Sequence, residues 1–161
     1  MKPHQIRLAG PWEWCLAPSG DEIAVKPAVT RCQLPFTPEF NSDSNAVSLR
    51  RGFHRPTGID ERTMILVVLD FSGVAASRGR DTLAAPTVVS LNGQEVFVMK
   101  TESLPDAASV SPTKRIQMAF DVSKLLKPFN DLHVMILASL NASTSLDAAC
   151  LEIHDRYPPL A

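Results

Sequence analysis

The sequence predicts an all-β chain of short antiparallel strands arranged as a sandwich or a barrel. Three observations carry this. Thirteen prolines and seven glycines divide 161 residues into short segments, a spacing hostile to long helices and suited to strands joined by turns. Several of those segments alternate apolar and polar residues, the signature of a half-exposed strand. Asn92-Gly93 stands between two apolar runs, and both residues tolerate the positive φ of a tight hairpin turn.

The elements follow in order. Val47 to Phe53 alternates, with Gly52 interrupting it as a candidate bulge. Thr63 to Phe71 is nearly continuous Val, Ile and Leu, which predicts a central strand buried on both faces. Thr87–Leu91 and Gln94–Val98 form the hairpin about Asn92-Gly93. The stretch from Thr101 to Thr113, rich in Ser, Ala and Pro, reads as a surface loop. Arg115–Phe120 and Leu132–Ile136 are further strands, and Cys150–His154 closes the set. One helical turn is expected at Val122–Leu126, capped by Asp121 and ended by Pro128. There is no repeat or linker, so residues 1–161 are read as a single domain.

Bulk properties exclude some classes. Hydrophobic residues make up 45% and charged residues 20%, enough for a packed core. A net charge of −1 and a pI near 6.4 argue against nucleic acid, which calls for concentrated basic charge. Arg50, Arg51, His54 and Arg55 are the one close basic cluster, and a strand would divide them between two faces. The longest apolar run, Met64 to Leu69, is far short of the roughly 20 residues that span a bilayer. The N-terminal residues lack the apolar stretch of a signal peptide, so the expected location is the cytoplasm, with no membrane partner. Cys15, Cys32 and Cys150 are widely spaced and read as three thiols, although Cys15 and Cys32 fall on neighbouring strands where a bridge is conceivable. The Asn141-Ala142-Ser143 sequon matters only in a glycosylating compartment.

Several segments, in order, resemble the N-terminal sugar-binding domain of family 2 glycoside hydrolases, the β-galactosidase, β-glucuronidase and β-mannosidase group. Leu8-Ala9-Gly10-Pro11-Trp12-Glu13-Trp14 is similar to that domain's Leu-x-Gly-x-Trp opening. Val47 to Phe53 resembles its Tyr-Arg-Arg-x-Phe strand, and Leu69-Asp70-Phe71-Ser72-Gly73-Val74 its Leu-x-Phe-x-Gly-Val element. Val88 to Val96 resembles the Val-Trp-Leu-Asn-Gly hairpin. Phe120 to Leu126 and Asn130 to Val134 resemble Phe-Asp-Val-Thr-x-x-Leu and Asn-x-Leu-x-Val. The resemblance covers almost the whole chain. It implies a galactose-binding-domain-like jelly roll, a β-sandwich of two antiparallel sheets face to face. It also implies a non-catalytic role, because the family's catalytic carboxylates lie on a separate barrel. The chain departs from the pattern after the hairpin, where Met99 to Pro105 stands in place of a Gly-Gly-Tyr stretch. It departs again at the insertion Ser77–Thr82 and in the short loop Pro35 to Ala46.

Sugar recognition needs an aromatic surface plus polar side chains for the hydroxyls. Trp12 and Trp14 share one side of a strand and read as a core pair. The expected binding residues are therefore Phe36, Glu39, Phe40, Asn41 and Asp43, with the loops Pro35–Asn45 and Met99–Thr113 at one end of the sandwich. Hydrolysis would need two carboxylates held about 5–10 Å apart. Asp70 reads instead as a strand-end group and Asp121 as a cap, so no enzyme is expected. No metal-ligand spacing links His4, His54, His133 and His154, though His133 and His154 could meet across strands. Asn41 to Asn45 lacks the concentrated carboxylates of a calcium loop; no cofactor or metal is expected. The leading reading is a carbohydrate-binding-type module. The alternative is a protein-interaction or assembly module that kept the fold and lost the sugar.

Overall fold

The apolar run beginning at Thr63 becomes the longest strand and the centre of a sheet. The computed structural model describes residues 2–17, 28–40, 44–75, 87–104, 113–137 and 144–155. They form β1 (His4–Arg7), β2 (Trp12–Ala17), β3 (Thr30–Cys32), β4 (Ala46–His54), β5 (Thr63–Ala75), β6 (Thr87–Leu91), β7 (Gln94–Val96), β8 (Lys100–Leu104), β9 (Thr113–Asp121), β10 (Phe129–Leu137) and β11 (Ser145–Asp155). One sheet runs β1-β11-β5-β9-β8 and the other β3-β2-β4-β10-β6-β7, and every pairing is antiparallel. The chain crosses repeatedly between the sheets, and the two share one core, so the architecture is an all-β sandwich.

Alternation decides what enters that core. On β10, Leu132, Val134 and Ile136 point inward and are fully buried. Val47, Leu49 and Phe53 of β4 and Val89 and Leu91 of β6 meet them on the same side. The opposing sheet supplies Ile65, Val67, Leu69 and Phe71 from β5 and Ile116, Met118 and Phe120 from β9. Each such side chain contributes about 1.5–3 kcal/mol when taken out of water. The expectation for β5 holds on its other face too, where Leu66 and Val68 are buried beside Ala119, Met64 and Cys150. The hairpin is as expected: Asn92 (φ 55°) and Gly93 (φ 82°) form the two-residue turn.

Four local expectations are corrected. Gly52 makes no bulge, because β4 pairs with β10 in unbroken register through Asp131 opposite Gly52. The register shifts instead between Phe71 and Val74 on β5, where Gly73 takes φ 70°. The one turn expected at Val122–Leu126 is present, closed by Leu125 N–H on the Val122 carbonyl, and the chain goes no further into helix. Its backbone is committed elsewhere, since Val122 N–H bonds Ile65 and the Asn130 side chain takes both Lys127 N–H and the Lys127 carbonyl. Asp121 still caps this turn, accepting from Ser123 N–H and its hydroxyl. Part of the expected loop after Met99 is strand β8, paired to β9. Asp70 lies inside β5 and accepts a bond from Gln117, so it is not a strand-end group. His133 and His154 lie on different sheets and do not meet.

Candidate functional site

The outward face of the six-stranded sheet carries a polar row built by register alone. Glu13 on β2 lies opposite Arg31 on β3 and Arg50 on β4. Arg50 lies opposite His133 on β10, His133 opposite Ser90 on β6, and Ser90 opposite Glu95 on β7. Each strand gives one residue, because side chains two apart share a face. The residues between them in sequence, such as Leu49 and Val134, point into the core. The basic cluster divides as expected: Arg50 turns outward, while Arg51 turns the other way and donates Nη1–H to the Pro11 carbonyl at 2.7 Å.

Two contacts give the row its electrostatics. Arg50 Nε–H donates to Asp131 Oδ1 at 2.6 Å. This bond and the carboxylate charge push the Arg50 pKa above its ordinary value. The Ser48 hydroxyl is hydrogen-bonded to His133 Nε2. Partial burial pushes His133 below its ordinary pKa, with Arg50 acting in the same direction and Asp131 against it. The downward shift favours the neutral imidazole, which can both donate and accept hydrogen bonds.

Two adjoining depressions, each of about 370 Å³, lie along this face. They share Glu13, Arg50 and Asp131. One extends over Ser48, Ser90 and His133, and the other reaches Arg31, Arg51 and Phe129. Phe129 is 57% exposed. Its ring meets His54 edge-on at 5.2 Å and 71°. The tip of the ring sits above Gly52, where an added β-carbon would come within 2.7 Å of Phe129 Cζ. An aromatic ring, a hydrogen-bonded guanidinium–carboxylate pair, a hydroxyl and an imidazole therefore share one open surface.

The residues expected from sequence sit elsewhere. Phe36 is half-buried, its ring 5.2 Å from Trp14, and its backbone bridges to Leu146 by two hydrogen bonds. Phe40 packs against the core, and Glu39 is exposed. Asn41 and Asp43 lie outside the described residues, as do the Ser77–Thr82 insertion, the Asn141 sequon and residues 105–112 of the second expected loop. Trp12 is fully buried with its indole N–H on the Leu8 carbonyl, and Trp14 packs on the core. The three cysteines are free thiols. Sequence reasoning passed over Arg50, Asp131, His133 and Phe129 as site residues. The signal was there in part, since Asp131 and His133 occupy alternate positions that neighbouring β10 core residues skip.

Among the described residues, no three His, Cys, Asp or Glu side chains are grouped to hold a metal. No helix among them is long and apolar enough to cross a membrane. Set against protein-family models and against curated proteins, the chain matches none.

Proposed function

We propose that the chain is a non-catalytic carbohydrate-binding module on a galactose-binding-domain-like jelly roll, and that it takes sugar on the outward face of its six-stranded sheet. The observation that carries this reading is Phe129 beside the Arg50–Asp131 pair in one depression. An aromatic side chain covers the apolar face of a pyranose, and a hydrogen-bonded charged pair offers donors and acceptors to its hydroxyls. The ordered segments that resemble the family 2 sugar-binding domain support the same reading. Asp131 is committed to Arg50, which suits ligand orientation better than proton transfer.

A glycan array followed by calorimetry tests it. Saturable binding to at least one glycan is expected, with Phe129→Ala weakening it about tenfold or more, the loss of roughly 1.4 kcal/mol. Absence of binding to every glycan overturns the proposal.

The second reading is an assembly module. Phe97, Val98 and Met99 favour it, since these consecutive apolar residues between β7 and β8 are exposed, Phe97 by 80%. Mass measured in solution tests this: a monomer that captures no partner counts against it.

A further inference from the structure

We propose that the ligand is a neutral, extended glycan chain, and that the sheet face holds two consecutive rings of it, laid along β10. This deepens the carbohydrate reading and rests on it. Phe129, Asp131 and His133 are alternate residues of β10 and stand on its outward side, while Asn130, Leu132 and Val134 between and beyond them are buried. Extended strand advances about 3.4 Å per residue, so Phe129 and His133 stand about 13 Å apart with Asp131 midway. A single pyranose is shorter than that span and reaches one end or the other. Two rings joined in an extended chain cover it.

The two depressions divide in the same way. Each is of about 370 Å³. Phe129 lines one, Ser48, Ser90 and His133 line the other, and Glu13, Arg50 and Asp131 line both. One ring therefore lies against the aromatic side chain and the next against hydroxyls and imidazole, with the Arg50–Asp131 bond beneath the linkage. Charge decides against an anionic chain. Arg51 turns off this face onto the Pro11 carbonyl. The outward charges of the two depressions are then Arg31 and Arg50 against Glu13 and Asp131, which cancel. A chain with a carboxylate on every ring would find no net attraction here and would bring its charge against Glu13 and Asp131. Sugar hydroxyls both donate and accept, and the face offers them guanidinium donors, carboxylate acceptors and the serine hydroxyls, which do both.

Calorimetry on β-1,4-linked gluco-, galacto- and manno-oligosaccharides of one to four rings tests this. In a series that binds, affinity is expected to rise about tenfold or more from one ring to two, roughly 1.4 kcal/mol, and to change less than about threefold beyond two. Phe129→Ala and His133→Ala each remove contacts of one ring, and each is expected to bring the two-to-one ratio close to one. Ser90→Ala is the milder variant of the second depression, and thermal melting checks that every variant is folded. A β-1,4-oligoglucuronate of the same length is expected to bind no more tightly than the neutral chain. Equal affinity for one ring and two overturns the inference while the carbohydrate reading stands, and so does a tenfold gain at each further ring. A ratio that survives in all three variants overturns the placement along β10. Tighter binding of the oligoglucuronate overturns the neutral ligand. If no series binds while the glycan array yields another ligand, the inference fails alone; if the array is empty as well, the carbohydrate reading fails with it.

Discussion

Asn92 Nδ2–H donates to Asn130 Oδ1 at 3.0 Å, tying the tip of the β6–β7 hairpin to the turn that precedes β10. Asn130 is fully buried. Its oxygen also accepts from Lys127 N–H, and its own amide donates to the Lys127 carbonyl. Asn92 in turn donates to the Leu125 carbonyl and accepts from Asp131 N–H. Truncation at Asn130 removes a partner from three part-buried groups, the Asn92 amide and the Lys127 N–H and carbonyl, each costing up to about 1–3 kcal/mol if left unsatisfied. Asn130→Ala is expected to lower unfolding free energy by roughly 2–4 kcal/mol in urea titrations, with relaxation and water entry keeping the loss below the full sum.

Gly52→Ala is expected to separate binding from stability. The added β-carbon meets Phe129 Cζ at 2.7 Å, and the ring must move. The ring is the far end of an exposed side chain, so the cost in unfolding free energy should stay within about 1 kcal/mol. Sugar affinity should fall about as far as in Phe129→Ala. An unchanged calorimetric affinity would show that the position of the Phe129 ring is irrelevant to binding.

The fold was readable from this chain wherever a rule of local geometry applied. Alternation located β4, β9 and β10, the continuous apolar run located β5, and Asn92-Gly93 located the hairpin. Gly52 shows where such rules end. A strand glycine implies either a bulge or a close approach, and only the neighbouring Phe129 decides between them. The candidate site was less readable for a related reason. Arg31, Glu13, Arg50, His133 and Ser90 are scattered in sequence and become a row only when five strands take their registers. Asn130 teaches the converse. It belongs to a segment whose resemblance suggested sugar binding, yet its side chain is spent on holding a turn.

His133 should make stability depend on pH. Its folded-state pKa lies below the ordinary 6.5 because burial disfavours the imidazolium, with Arg50 nearby adding to this and Asp131 opposing it. Between the folded and unfolded values, the unfolded chain binds more protons. The stability that neutral His133 retains near pH 7.5 is therefore lost as pH falls through 6.5 toward the folded value. His133→Gln keeps a hydrogen-bonding group toward Ser48 and removes the titration. Its denaturant midpoint should fall less between pH 7.5 and pH 5 than that of the wild type. Parallel midpoints for the two proteins would remove His133 as a source of the pH dependence.

The Arg50–Asp131 pair should matter to ligand far more than to folding. Arg50 is 60% exposed at its side chain and Asp131 36%. Ion pairs open to solvent to this extent contribute about 0–1 kcal/mol, because water screens them and both side chains lose freedom. Arg50→Ala and Asp131→Asn should each shift unfolding free energy by no more than about 1 kcal/mol. In a bound complex the same pair is covered by the sugar, where a truncated partner leaves the other charge without its neighbour. Either single variant should then weaken glycan binding about tenfold or more, roughly 1.4 kcal/mol. The double variant should lose less than the sum of the singles, since each substitution removes the same interaction. Strict additivity in a calorimetric double-mutant cycle would mean that the two side chains meet the ligand independently, and that their bond orients neither of them.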